Sequence, residues 1–201
     1  MSDSTKTYIE SLVKEGNLHL KEGEFRAAVI CYDTALELNN EQSQIWDNRG
    51  VALSKARRYN DAVESFEIAL ELEPDNVEAW SNMGVALGGL GKFDEALNCF
   101  KRALEIEPLN DEVWNNKGTA LFNLQKYPEA LDCFDKAIEL NPDNPLAWAG
   151  KGSAHRFNDE YEDAVKSLEK FIKLSAEEYS PQVEEAWAMI LELKLNLKKQ
   201  E

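Results

Sequence analysis

Apolar and polar residues follow a helical rhythm along this chain, and the rhythm itself recurs. Trp46, Trp80, Trp114 and Trp148 stand 34 residues apart, and each is followed four residues later by a glycine, Gly50, Gly84, Gly118 and Gly152. One period earlier the same two places hold Leu12 and Gly16. With the tryptophan as the fourth position of a unit, five units run 9–42, 43–76, 77–110, 111–144 and 145–178, with a leader at 1–8 and a tail at 179–201. Position 17 is aromatic throughout (Phe25, Tyr59, Phe93, Tyr127, Tyr161), and position 20 is always alanine (Ala28, Ala62, Ala96, Ala130, Ala164). Within a unit, the apolar positions 4, 11, 20, 24 and 27 form two blocks at helical spacing. A polar turn such as Glu22-Gly23-Glu24 or Asn158-Asp159-Glu160 separates them. Each unit therefore predicts a helix–turn–helix hairpin.

Glycine at position 8 and alanine at position 20 suit a close crossing of the two helices, with Trp and Phe filling the space beside them. Pro74, Pro108 and Pro142, at position 32, end the second helix of their repeats. One hairpin cannot bury both faces, so the units must stack, each covering its neighbour. The expected fold is all-α, a right-handed α-solenoid. Repeat five departs from the pattern with Phe171 for alanine and Ala176 for proline, and Ser180-Pro181 opens a new segment. There Val183, Trp187, Ile190, Leu191 and Lys194 share a helical face, as a C-terminal capping helix over 179–201 requires. Leu193, Leu195 and Leu197 fall partly outside that face and leave room for a contact with a second copy.

The period and its columns of Trp, Gly, aromatic, Ala, Phe, Ala and Pro resemble the tetratricopeptide repeat (TPR) over residues 9–178. The resemblance implies a protein–protein interaction scaffold whose concave groove is lined by positions 2, 5, 6, 9, 12 and 13. Position 6 carries Lys14, then Asn48, Asn82 and Asn116. A carboxamide both donates and accepts, so this ladder can pair with the backbone of an extended peptide whatever its sequence. Asn17, Lys21, Lys55, Val85 and Phe122 complete the candidate peptide-binding set, and Gly88 with Gly89 leave a gap between Ser54 and Phe122 for a side chain. TPR domains that grip acidic chaperone tails resemble one another in a carboxylate clamp of Lys, Asn, Asn, Lys and Lys or Arg. Here those places hold Val13, Asn17, Asn48, Glu78 and Asn82, or, one repeat on, Asp47, Val51, Asn82, Glu112 and Asn116. The cations are missing, and Glu78 and Glu112 would repel a carboxylate, which argues against that partner.

Charge narrows the partners further. Lys and Arg number 22 against 38 Asp and Glu, a net charge of −16, with no basic block, which disfavours nucleic acid and anionic lipid. The excess is spread at −2 to −4 per repeat, as a solubilising surface rather than an acidic tail. Residues 1–10 have no signal-peptide pattern and no stretch spans a membrane, so the expected location is cytoplasmic. Cys31, Cys99 and Cys133 share position 23 with Ser65 and Ser167, which reads as a small packing slot. His19 and His155 both occupy position 11. With no CxxC, His/Cys cluster, phosphate loop or nucleophile–base pair, the sequence predicts no metal, no cofactor and no enzyme. The expected molecule is a monomer or weak homo-oligomer that binds a protein or peptide. Its alternatives are self-association and a regulatory contact through an acidic convex face.

Overall fold

The computed structural model describes residues 2–175 and 181–198. Its helices are α1 (Asp3–Glu22), α2 (Phe25–Leu38), α3 (Ser43–Lys55), α4 (Tyr59–Leu72), α5 (Val77–Gly89), α6 (Phe93–Ile106), α7 (Asp111–Asn123), α8 (Tyr127–Leu140), α9 (Pro145–Phe157), α10 (Tyr161–Ser175) and α11 (Pro181–Leu197). No strand occurs among the described residues. The chain divides into two compact units, Met1–Glu107 and Pro108–Glu201. Within each, every odd-numbered helix pairs with the even-numbered helix after it, and α2 on α3, α4 on α5, α8 on α9 and α10 on α11 stack the hairpins. This is the stacked helix–turn–helix architecture of an α-solenoid. No helix among the described residues is long and apolar enough to cross a membrane.

The columns act as the hydrophobic pattern predicts, with one exchange of roles. A Cβ on the position-8 glycine would lie 2.7 Å from Tyr32 (Gly16), 2.5 Å from Phe66 (Gly50), 2.6 Å from Phe100 (Gly84), 2.8 Å from Phe134 (Gly118) and 2.8 Å from Leu168 (Gly152). The position-24 side chain therefore fills the slot, and the five position-20 alanines beside it are fully buried. Tryptophan does something else. Its indole N–H donates to the position-32 carbonyl of the preceding repeat: Trp46 to Asn40 at 2.8 Å, Trp80 to Pro74 at 2.8 Å, Trp114 to Pro108 at 2.9 Å and Trp148 to Pro142 at 2.9 Å. The half-buried ring thus pins the connecting loop to the next helix.

The first helix of each repeat is closed at its C-terminal end by backbone. Position 15 adopts a left-handed conformation in all five repeats, at Gly23, Arg57, Gly91, Gln125 and Asp159. The next N–H then reaches the helix, as from Glu24 to the His19 carbonyl at 2.8 Å and from Lys126 to Leu121 at 3.0 Å, a Schellman closure. Asn76, Asn110 and Asn144 cap α5, α7 and α9 through their side-chain oxygens. Ser2 caps α1, so residues 3–8 are helical and continuous with the first repeat.

The C-terminal helix packs on a face rotated from the expected one. Ala186, Ile190 and Leu193 are buried against Val165, Leu168, Phe171 and Ile172 of α10, with Val183 and Met189 beside them. Trp187 and Leu191 are instead 55% and 63% exposed. Ala176 and Ser180, where the repeat pattern breaks, lie outside the described residues.

Candidate peptide-binding face

The groove columns lie on the odd-numbered helices. In the first unit, Lys14, Asn17 and Lys21 of α1 and Lys55 of α3 are exposed. Asn17 is already engaged: its oxygen accepts from the Tyr32 hydroxyl at 2.7 Å and from the Asn48 carboxamide at 3.5 Å. Asn48 in turn accepts from Gln44 at 3.3 Å. Asn82 is half-buried and donates to Asp47, whose side chain is only 6% exposed. Burial pushes the Asp47 carboxyl up to about 6, opposed by the bond from Asn82 and aided by the Glu78 and Glu73 carboxylates. The other Asp47 oxygen, Oδ1, is buried without a partner among the described residues, as is the Ser54 hydroxyl.

Val85 of α5 is 47% exposed. The gap expected at two glycines is present at one. Nothing lies within 4 Å of a Cβ built on Gly88, whereas one on Gly89 would be 2.7 Å from the Tyr59 ring. Tyr59 belongs to the preceding hairpin, and it occupies the space that the sequence leaves empty.

In the second unit Asn116 is half-buried on α7. Phe122 is not a free anchor: its ring lies 5.5 Å from Tyr127 and 5.4 Å from Phe157, which stack on each other at 5.5 Å. Phe157 is the member of this cluster turned to solvent, at 53% exposure. A cleft of about 420 Å³ opens along α9 between α10 and α11. Leu146, Ala149 and Ser153, at positions 2, 5 and 9, line one side, and the rest includes apolar Phe171, Ala186 and Met189 and polar Ser175, Gln182 and Glu185. These residues escape a reading of the sequence because the cleft needs α11 to close it. The signal available was the exchange of Glu or Gln for Leu146 at position 2, where the earlier repeats carry Glu10, Gln44, Glu78 and Glu112.

Comparison with known proteins identifies the repeat. Profiles described as tetratricopeptide repeat match residues 9–42, 77–110, 111–144 and 133–166, and one described as TPR repeat matches 58–91. A stretch of 53 residues is 43% identical to the small glutamine-rich tetratricopeptide repeat-containing protein beta of Rattus norvegicus and of Homo sapiens, covering 26% of this chain and 17% of those proteins. Among solved structures, MamA from Desulfovibrio magneticus superposes with a TM-score of 0.76 at 19% identity, over 90% of this chain and 99% of that one. A thermophilic TPR protein of Thermus thermophilus gives 0.78 at 15% identity, over 91% and 99%. YrrB, described as a TPR protein with an unusual peptide-binding site, gives 0.67 at 24% identity, over 98% of both chains. Recurrent glycine slots, left-handed turns and profile matches along both units place the chain in the tetratricopeptide repeat family.

Proposed function

We propose that this chain is a non-enzymatic protein–protein interaction scaffold that binds an extended segment of a partner along the odd-numbered helices of its repeats. The observation that carries the reading is the state of Asn48. Its bonds, at 3.3 and 3.5 Å, sit at the outer limit of hydrogen bonding, so little is lost when a peptide backbone replaces them with shorter ones. On the neighbouring helix α5, exposed Val85 and the open space at Gly88 offer an apolar side chain a seat. The cleft at Leu146 offers the same in the second unit. Membership of the repeat family and the peptide-binding site named for YrrB support the class of ligand.

The test begins with peptides selected against the whole chain from a displayed random library, measured by fluorescence polarisation. Gly88→Leu fills open space without touching the core, and Asn48→Ala removes the carboxamide. Each is expected to weaken the selected peptides tenfold or more at unchanged helical circular dichroism. Binding indifferent to both substitutions, or no enriched peptide at all, overturns the reading.

A second reading, self-association, has its own observation in the outward face of α11, where Trp187, Leu191 and Leu195 are all more than half exposed.

A further inference from the structure

The first hairpin gathers four side chains that the sequence holds apart. One donor atom from each of Glu15, His19 and Cys31 lies within 4.8 Å of the other two. His19 Nε2 is 3.9 Å from Glu15 Oε1, while its other ring nitrogen, Nδ1, is 2.6 Å from Glu24 Oε2. Cys31 follows His19 by twelve positions, so no ligand motif is visible along the chain; the α1–α2 hairpin makes one by setting position 11 beside position 23.

The donors suit a borderline-soft divalent ion. Tetrahedral zinc binds sulfur at about 2.3 Å and nitrogen or oxygen at about 2.0–2.2 Å, which places its ligand atoms roughly 3.3–3.8 Å apart. The donor atoms stand no more than 4.8 Å apart and need to close by at most about 1.5 Å to reach that spacing, and Glu15, with a side chain 61% exposed, is free to swing. A carboxylate on Nδ1 is the arrangement that holds a histidine in the tautomer with a bare Nε2 and raises that nitrogen's basicity toward a metal. Glu24 supplies it. One thiolate and one carboxylate would balance the two charges of the ion, the Cys31 thiol losing its proton to solvent on coordination.

The other repeats sharpen the assignment because they keep the geometry and change the chemistry. Position 7 faces position 23 again in repeat two, where Arg49 donates to Ser65 at 2.6 Å, and that arginine also bridges back to Asp33 at 2.6 Å. Repeat five repeats the histidine arrangement, His155 Nδ1 standing 2.6 Å from Glu160, yet it carries Lys151 and Ser167 where repeat one carries Glu15 and Cys31. Repeats two to four carry Leu53, Leu87 and Leu121 in place of the histidine. Only the first repeat combines Glu, His, Glu and Cys at positions 7, 11, 16 and 23.

We propose that Glu15, His19 and Cys31 form a three-ligand site for a zinc-class divalent cation, oriented by Glu24 and with its fourth position open to solvent. Cobalt(II) is the probe, because a bound thiolate gives a near-ultraviolet charge-transfer band and a tetrahedral ion gives strong visible bands. The whole chain is expected to bind one equivalent with both signals, and zinc to displace it. Cys31→Ser should abolish the thiolate band and His19→Leu should weaken binding at least tenfold. Both install the residue other repeats already carry there, so helical circular dichroism should hold. Glu24→Gln should weaken binding by about 10–100-fold through the histidine alone. Joint replacement of Cys99 and Cys133 by serine should leave the spectrum unchanged. Lys151→Glu with Ser167→Cys should raise the count to two equivalents. No thiolate band, a band surviving Cys31→Ser, or binding indifferent to His19→Leu overturns the proposal. His19, Glu22 and Glu24 also bring one donor atom each within 4.8 Å of one another, and a cobalt complex lacking the sulfur band and lost in Glu22→Gln would place the ion there and overturn the proposal.

Discussion

Position 5 of the second repeat holds a carboxylate where the other repeats hold Val13, Ser81, Asn115 and Ala149, and the chain buries it beside two further acids. The folded value of about 6 lies above the 3.8 of an unperturbed aspartate, so the folded state holds this proton more tightly than the unfolded one. Stability from this group is therefore full below about pH 4, falls as pH rises toward 6, and stays as a fixed penalty above it. Asp47→Asn keeps a carbonyl oxygen to accept from Asn82 and places its NH2 at the unpartnered Oδ1 position while removing the charge. It is expected to raise stability at pH 7 by about 1–3 kcal/mol and by almost nothing near pH 4. Urea unfolding of both proteins at the two pH values measures the difference. An equal gain at both would show that packing, not ionisation, sets the cost at Asp47.

The hairpin explains why the same substitution should act oppositely at two glycines of neighbouring helices. Gly50→Ala drives a methyl to 2.5 Å from Phe66, and the overpacking should outweigh the better helix propensity of alanine, for a net loss of about 1–2 kcal/mol. Gly88→Ala meets nothing and should gain about 0.5–1 kcal/mol. Thermal unfolding of the two variants distinguishes the filled slot at Gly50 from the open space at Gly88. This contrast also marks what a sequence can and cannot disclose. Gly50 and Phe66 were legible because they belong to one hairpin, whose two helices must cross wherever the columns of small and large residues coincide. Gly89 was misleading because its lid, Tyr59, comes from the repeat before. Phe122 looked like a groove anchor until Phe157 of the next hairpin closed over it, and His19 met Cys31 only through the turn between them. For α11 the pattern was ambiguous for another reason. Val183, Ala186, Trp187, Met189, Ile190, Leu191, Leu193, Leu195 and Leu197 are apolar on nearly every side, so periodicity admits two stripes and packing against α10 selects one.

At the scale of the molecule, a net charge of −16 opposes association while the unselected stripe of α11 favours it. The stripe is self-complementary about Leu191. An antiparallel pair of α11 helices related by a two-fold axis there sets Trp187 of each copy against Leu195 of the other, and Glu184 against Lys198. Such a contact is apolar at its centre and sits between two like-charged bodies, so screening should strengthen it. The weight-average mass in light scattering is therefore expected to rise with protein concentration, and to rise more at 0.5 M than at about 0.05 M salt, as the Debye length shrinks from about 14 to 4 Å. Trp187→Glu with Leu191→Glu should return the chain to a monomer at both. The acidic surface meeting a basic partner predicts the reverse, since there the favourable term is the one that salt removes. A monomer at every concentration and salt would eliminate the α11 pairing and leave only the readings in which the chain binds a different protein, peptide capture along the odd-numbered helices and the salt-sensitive acidic contact.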